Sequence, residues 1–138
     1  MAREETHSLA SHGTPQLTAL VLCGGAGRRM GGPKAELEFG GEPLVLRMLR
    51  LLEPLASPVA IAAAPNQTLP ELPTRVLVSR DAEPEHGPLE GIRAGFAVLS
   101  QRLPPETFVY VTGCDTPLLH AGWVRRLAFL AAGYEACI

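Results

Sequence analysis

Leu17-Thr18-Ala19-Leu20-Val21-Leu22-Cys23-Gly24-Gly25-Ala26-Gly27-Arg28-Arg29-Met30-Gly31-Gly32-Pro33-Lys34 is the stretch on which the fold turns. Its first seven residues are apolar apart from Thr18, the pattern of a strand covered on both faces, as in a parallel sheet. Glycines and basic side chains follow at once. Glycines let backbone N–H groups turn toward an anion, and Arg28, Arg29 and Lys34 bring positive charge to it, so the segment suits a polyphosphate. A solvated surface turn is the competing reading of any Gly-Arg cluster. The segment resembles two common phosphate loops and matches neither, which demotes both readings. A dinucleotide fingerprint needs a glycine three residues after Gly27, where Met30 stands. A Walker loop needs Gly-Lys-Ser/Thr, whereas Pro33 separates Gly32 from Lys34 and Ala35 follows.

Downstream, Leu44, Val45, Met48, Leu49, Leu52 and Leu55 recur at helical spacing behind Pro43, which sits where a first-turn proline would. This helix is expected to end near Pro58. Short apolar runs at 59–63, 75–79 and 107–112 read as strands. Leu89, Ile92, Phe96 and Leu99 mark one face of a second helix, and Trp123, Leu127 and Leu130 one face of a third. Residues 134–138 read as the opening of a further strand. Strands and helices alternate with matching lengths of roughly 20 Å, so each helix carries the chain back along one strand. The fold class is therefore α/β, a Rossmann-like three-layer sandwich with a mainly parallel sheet and ligands at the carboxyl ends of its strands. The loops to search are residues 24–34, 80–91 and 113–118.

Composition narrows the possibilities further. A chain of 138 residues with 46% hydrophobic content can build one compact domain. Residues 1–16 are polar and aperiodic and read as a flexible N-terminal arm, leaving 17–138 as the domain. A formal charge of -2 with dispersed basic residues argues against nucleic acid as a partner. No run approaches the roughly 20 apolar residues of a membrane span, and the start lacks a hydrophobic signal core, so no membrane partner and a cytoplasmic location are expected. Cys23, Cys114 and Cys137 are an odd count without metal-ligand spacing, which suits a reducing compartment.

The second loop holds Asp81 and His86 and then Gly87-Pro88-Leu89-Glu90-Gly91. Pro88 is placed for a first helical turn, and a glycine one turn later lets a flat ligand lie against the backbone. Simple helix initiation accounts for the same residues. In the third loop a strand delivers Gly113-Cys114-Asp115-Thr116-Pro117, so a carboxylate stands where a parallel strand ends. That is a seat for a hard cation, which takes one or two carboxylates plus phosphates and water; alone, Asp-Thr-Pro is also a common turn. Cys23 and Cys114 share these strand ends, but a thiol mechanism lacks an evident histidine partner, and small buried cysteines are common.

The run L-x-G-G-x-G-R-R-M-G-x-x-K at residues 22–34, followed by G-P-L-x-G at 87–91 and C-D-x-P at 114–117, resembles the nucleotidyltransferases whose members include the molybdenum cofactor guanylyltransferases. The likeness covers roughly residues 17–134. It implies a sheet of the nucleotide-diphospho-sugar transferase type, with nucleotide contacts at Leu22, Cys23, Gly24, Gly25, Lys34, Asp81, Gly87, Gly91 and Asp115. Arg29 would meet the distal phosphates, Lys34 the reacting α-phosphate, and Asp115 would hold Mg2+. The implied reaction passes GMP from Mg-GTP to molybdopterin or Mo-molybdopterin, with transient contacts to other molybdenum cofactor proteins. A cytidylyltransferase, a sugar- or polyol-phosphate nucleotidyltransferase and a non-catalytic nucleotide-binding module are the alternatives. Two departures accompany the likeness. Relatives usually continue beyond Ile138 into a C-terminal acceptor portion, which this chain is expected to lack. Where the family commonly places asparagine, this chain has Ala62-Ala63-Ala64, with Asn66 nearby.

Overall fold

A computed structural model describes residues 17–24, 34–80 and 87–136. The opening apolar run is β1, Leu17–Leu22, and it lies inside a four-stranded sheet. A two-residue pair, β2 (Glu38–Phe39) and β3 (Glu42–Pro43), precedes α1 (Leu44–Leu52). Then come β4 (Ala56–Ala63), β5 (Leu77–Arg80), α2 (Pro88–Leu99), β6 (Val109–Gly113) and α3 (Ala121–Ala131). The sheet order is β5-β4-β1-β6, and every pairing in it is parallel. The chain thus builds outward from β1 on one side and then crosses to the other, which puts a topological switch point between β1 and β6.

Alternation along the central strands sorts the core into two halves. Ala19 and Val21 of β1, with Val59, Ile61 and Ala63 of β4, face Val45, Met48, Leu49 and Leu52 of α1 and Val124 of α3. Leu20, Ala60 and Ala62 face the opposite way, onto Leu99 of α2. One sheet covered by helices on both faces is the three-layer arrangement expected of this alternation.

Several boundaries and faces differ from the pattern reading. The first helix stops at Leu52, and β4 starts at Ala56, so Pro58 lies inside a strand. Pro43 is the residue before α1, not its first turn. The third and fourth sheet strands are shifted toward the carboxyl end, to Leu77–Arg80 and Val109–Gly113. No strand forms at 134–136, the described part of 134–138. The helix faces are corrected more deeply. Leu89 and Phe96 are exposed, while Gly91, Gly95 and Leu99 are the buried residues of α2. In α3, Trp123 and Leu130 are exposed and Val124 and Ala131 are buried. In α2 a small residue lets the helix come close to the sheet, which a large side chain at Gly95 would prevent.

The closest approach is at Gly95, where an added Cβ would stand 2.4 Å from Leu20 Cδ1 and 2.5 Å from Cδ2. Leu20 is fully buried in a central strand, so an added side chain requires it to repack within the core. Gly95→Val is expected to lower unfolding stability by about 1–3 kcal/mol in urea titration. Gly95→Ala should cost less, since better helix propensity offsets about 1 kcal/mol of its clash. On the same face of β1, Thr18 is buried and its hydroxyl has no hydrogen-bond partner. Replacing it by valine removes an orphaned polar group, so Thr18→Val is expected to raise stability by about 1 kcal/mol, read from the same titration.

Candidate functional site

The two strands that flank the switch point end together. β1 and β6 run in register through Leu22 and Gly113, and the Cys114 N–H donates to the Leu22 carbonyl at 3.0 Å. Cys23-Gly24 and Cys114-Asp115 therefore leave the sheet side by side, at the same rim. Asp115 turns its carboxylate back over Gly113, where a Cβ would lie 2.4 Å from Oδ1. Lys34, at the far end of the glycine segment, donates to Asp115 Oδ2 at 2.7 Å. The pair spans 81 residues of sequence and is about one third exposed on each side. A cation and a carboxylate thus meet beside the first residues of the glycine segment, in the crevice where open α/β sheets take their ligands.

Each partner holds the other in its charged form. The Lys34 hydrogen bond keeps the Asp115 carboxyl below its usual range, and the Asp115 bond raises the Lys34 ammonium above its own. Gly113→Ala needs no unusual backbone, but its methyl would displace the carboxylate from this position. It is expected to leave the unfolding midpoint within about 1 kcal/mol of wild type while weakening divalent-cation binding about tenfold by titration.

The loop bearing Asp115 is braced from below. Arg47 of α1 donates to the Pro117 carbonyl at 2.8 Å, stands 3.8 Å from Glu42, and lies over the Phe39 ring at 5.0 Å. Thr116 Oγ1 donates to the Gly113 carbonyl at 3.0 Å, which closes the turn that Asp115 occupies. Beneath it, Cys23 and Cys114 are both fully buried, and their side chains hydrogen-bond to each other. That bond and burial push the Cys23 thiol upward, away from the thiolate a nucleophile needs. The same contact shifts the Cys114 thiol the other way, downward, and both side chains are fully buried under the site.

Among the residues singled out from sequence, Leu22, Cys23 and Gly24 lie at the end of β1, and Lys34 and Asp115 are brought together. Gly87 caps α2 with a φ of 76°, Pro88 starts it, and Gly91 is buried in it. Gly25, Arg28, Arg29, Asp81 and His86 lie outside the described residues. Sequence reading missed Arg47, Gln67 and Arg80. Gln67 Nε2 donates to the Cys23 carbonyl at 2.9 Å, and Arg80 holds the turn that carries Gln67. Arg47 lies on the polar side of a helical pattern, Arg80 at a strand end and Gln67 in a loop, and single polar residues carry no periodicity that would mark them.

Among the described residues, no group of three or more His, Cys, Asp or Glu side chains could hold a metal ion. Among the described residues the site offers one carboxylate, which fits a magnesium ion that completes its shell with phosphates and water. No described helix is long and apolar enough to cross a membrane.

Comparison with known proteins adds to this geometry. The MobA-like NTP transferase domain matches residues 19–138. A molybdenum cofactor guanylyltransferase of Pseudomonas putida is 35% identical over 127 residues, covering 90% of this chain and 63% of the relative. Those of Pseudomonas aeruginosa and Rhodobacter capsulatus are 39% and 38% identical, over 82% and 86% of this chain and 55% and 61% of their own lengths. This chain thus spans less than two thirds of the curated relatives it matches. The fold is similar to 2-C-methyl-D-erythritol 4-phosphate cytidylyltransferase from Thermus thermophilus, with a TM-score of 0.62 and 24% identity over 86% of this chain and 50% of that one. A 4-diphosphocytidyl-2C-methyl-D-erythritol synthase gives 0.64 and 21% over 86% of this chain and 55% of that one.

Proposed function

Because this chain belongs to the MobA-like NTP transferase family, we propose that it binds Mg-GTP in the β1/β6 crevice and serves transfer of GMP to molybdopterin in the cytoplasm. The observation that carries the proposal is the 2.7 Å Lys34–Asp115 pair beside Gly24. Names borne by relatives at 35–39% identity support guanine as the base and molybdopterin as acceptor.

In this reading the acceptor's terminal phosphate oxygen attacks the α-phosphorus of GTP. A new P–O bond forms as the bond to the bridging oxygen breaks, and pyrophosphate leaves. Two anions must be brought together, so positioning and charge neutralisation are the protein's tasks. Gly24, with Gly25 beyond the described residues, would present backbone N–H groups to the phosphates. Lys34, kept protonated, would neutralise the α-phosphate, and Arg29 the departing pyrophosphate. Asp115 is the residue that would hold Mg2+, which when bound supplies charge stabilisation of several kcal/mol, about what Lewis-acid metals contribute elsewhere. Gly87 and Gly91 would border the base, and Asp81 would complete the nucleotide contacts.

Titrating the protein with GTP, CTP and UTP, each with magnesium, tests the reading. GTP binding at least about tenfold tighter than CTP or UTP supports it. Preference for CTP moves the chain to the cytidylyl branch, and no binding of any of them removes the proposed site.

A further inference from the structure

The described residues on either side of the glycine segment, Cys23 and Lys34, are both held in place by neighbouring groups. One end is fixed by the Lys34–Asp115 pair and by Ala35, which is buried and whose carbonyl accepts from the Val45 N–H at 3.3 Å. The other end is β1, where the Cys23 N–H still bonds to β4 through the Ala62 carbonyl at 2.8 Å. Cys23 lies just past the last strand residue, and its carbonyl accepts from Gln67 Nε2 at 2.9 Å. The Oε1 of the same amide accepts from the Ala64 N–H at 3.0 Å, so both ends of the Gln67 amide are used and its orientation is set by its partners.

Gln67 is itself held. Its backbone N–H closes a turn onto the Ala64 carbonyl at 3.1 Å. Arg80, the last residue of β5, donates from a single nitrogen to the Ala64 carbonyl at 3.0 Å and the Gln67 carbonyl at 2.6 Å. Two side chains therefore tie the carboxyl ends of β1, β4 and β5 into one unit, and two of these ends lead directly into loops assigned above to the nucleotide.

We infer that Gln67, braced by Arg80, is a positioning residue that sets the direction of the chain at Cys23–Gly24 and hence the backbone offered to the nucleotide phosphates. The inference rests on the nucleotide-binding reading given above. It also assigns a task to the region around Ala62-Ala63-Ala64, which has no polar side chain of its own to reach the glycine segment.

Four variants of the whole chain test it. Gln67→Glu keeps the acceptor for Ala64 and loses the donor to Cys23, whereas Gln67→Met loses both without adding charge. Both are expected to bind Mg-GTP about tenfold more weakly while unfolding in urea at a midpoint close to wild type. Arg80→Ala should behave like them. Arg80→Lys should recover most of the affinity, because one nitrogen makes both of the arginine's bonds. Affinity unchanged in the Gln67 variants, or lost only in step with the unfolding midpoint, overturns the inference; equal behaviour of Arg80→Lys and Arg80→Ala removes Arg80 from it. Should the wild type bind no nucleotide, the functional reading fails by itself. The clamp is then judged by amide hydrogen exchange at Gly24, expected to be about tenfold faster in Gln67→Met, with an unchanged rate overturning it.

Discussion

Asp115→Asn is expected to abolish the magnesium dependence of nucleotide binding and to lower any GMP transfer by about 10³-fold or more. Asparagine keeps the size and turn-forming ability of aspartate, so the chain should still reverse between Gly113 and Pro117. What it loses is the formal charge that a hard cation requires. A bound metal supplies several kcal/mol to charge neutralisation during phosphoryl chemistry, and each 1.36 kcal/mol is about tenfold in rate. Stability should hardly respond, because the Lys34–Asp115 pair is about one third exposed, and such pairs contribute about 0–1 kcal/mol. Calorimetric titration with GTP, with and without magnesium, reads the first effect, and urea unfolding reads the second.

Lys34→Met separates binding from turnover. In the absence of nucleotide, the Lys34 ammonium occupies the Asp115 oxygen that a divalent cation would use. Removing it should tighten Mg2+ or Mn2+ binding to the free protein several-fold, since a competitor for the carboxylate is gone. Turnover should move the other way, by about 10²–10³-fold, the usual effect of deleting one donor aimed at charge that develops in a transition state. Affinity for Mg-GTP should fall far less, because the glycine backbone and the metal remain. Opposite signs for cation affinity and turnover would be hard to obtain from a merely structural lysine.

How much of this was legible in the sequence depended on the kind of residue involved. The run from Leu17 is apolar enough to be read as a doubly covered strand, and it is β1 of a parallel sheet. Pro88 opens α2, as its position before a helical pattern implied. The meeting of Lys34 with Asp115 could be anticipated from topology and from the family resemblance but not from spacing, because 81 residues separate them. Helix faces were read less well. Leu89, Phe96, Trp123 and Leu130 carry the strongest hydrophobic signal, yet all four are exposed, and the buried residues are Gly91, Gly95 and Leu99 of α2 and Val124 and Ala131 of α3. Large residues dominate a periodicity count, whereas close helix–sheet packing selects small ones.

Local turn chemistry explains the other omissions. Gly40 and Gly41 have φ of 64° and 80°, the double positive pair of a tight hairpin loop, but the strands they join are two residues long and leave no alternation to detect. Gln67, Arg80 and Arg47 act by one or two hydrogen bonds each to backbone groups, most of them far away in sequence. Such bonds depend on where the loops come together, which only the folded chain specifies.

A crystal structure of the chain with Mg-GTP tests the site most directly. A magnesium ion is expected about 2.0–2.1 Å from an Asp115 carboxylate oxygen, with the triphosphate against Gly24 and Lys34 turned from Asp115 toward the α-phosphate. A nucleotide bound elsewhere, or bound in the crevice with its metal out of reach of Asp115, would contradict the proposed site.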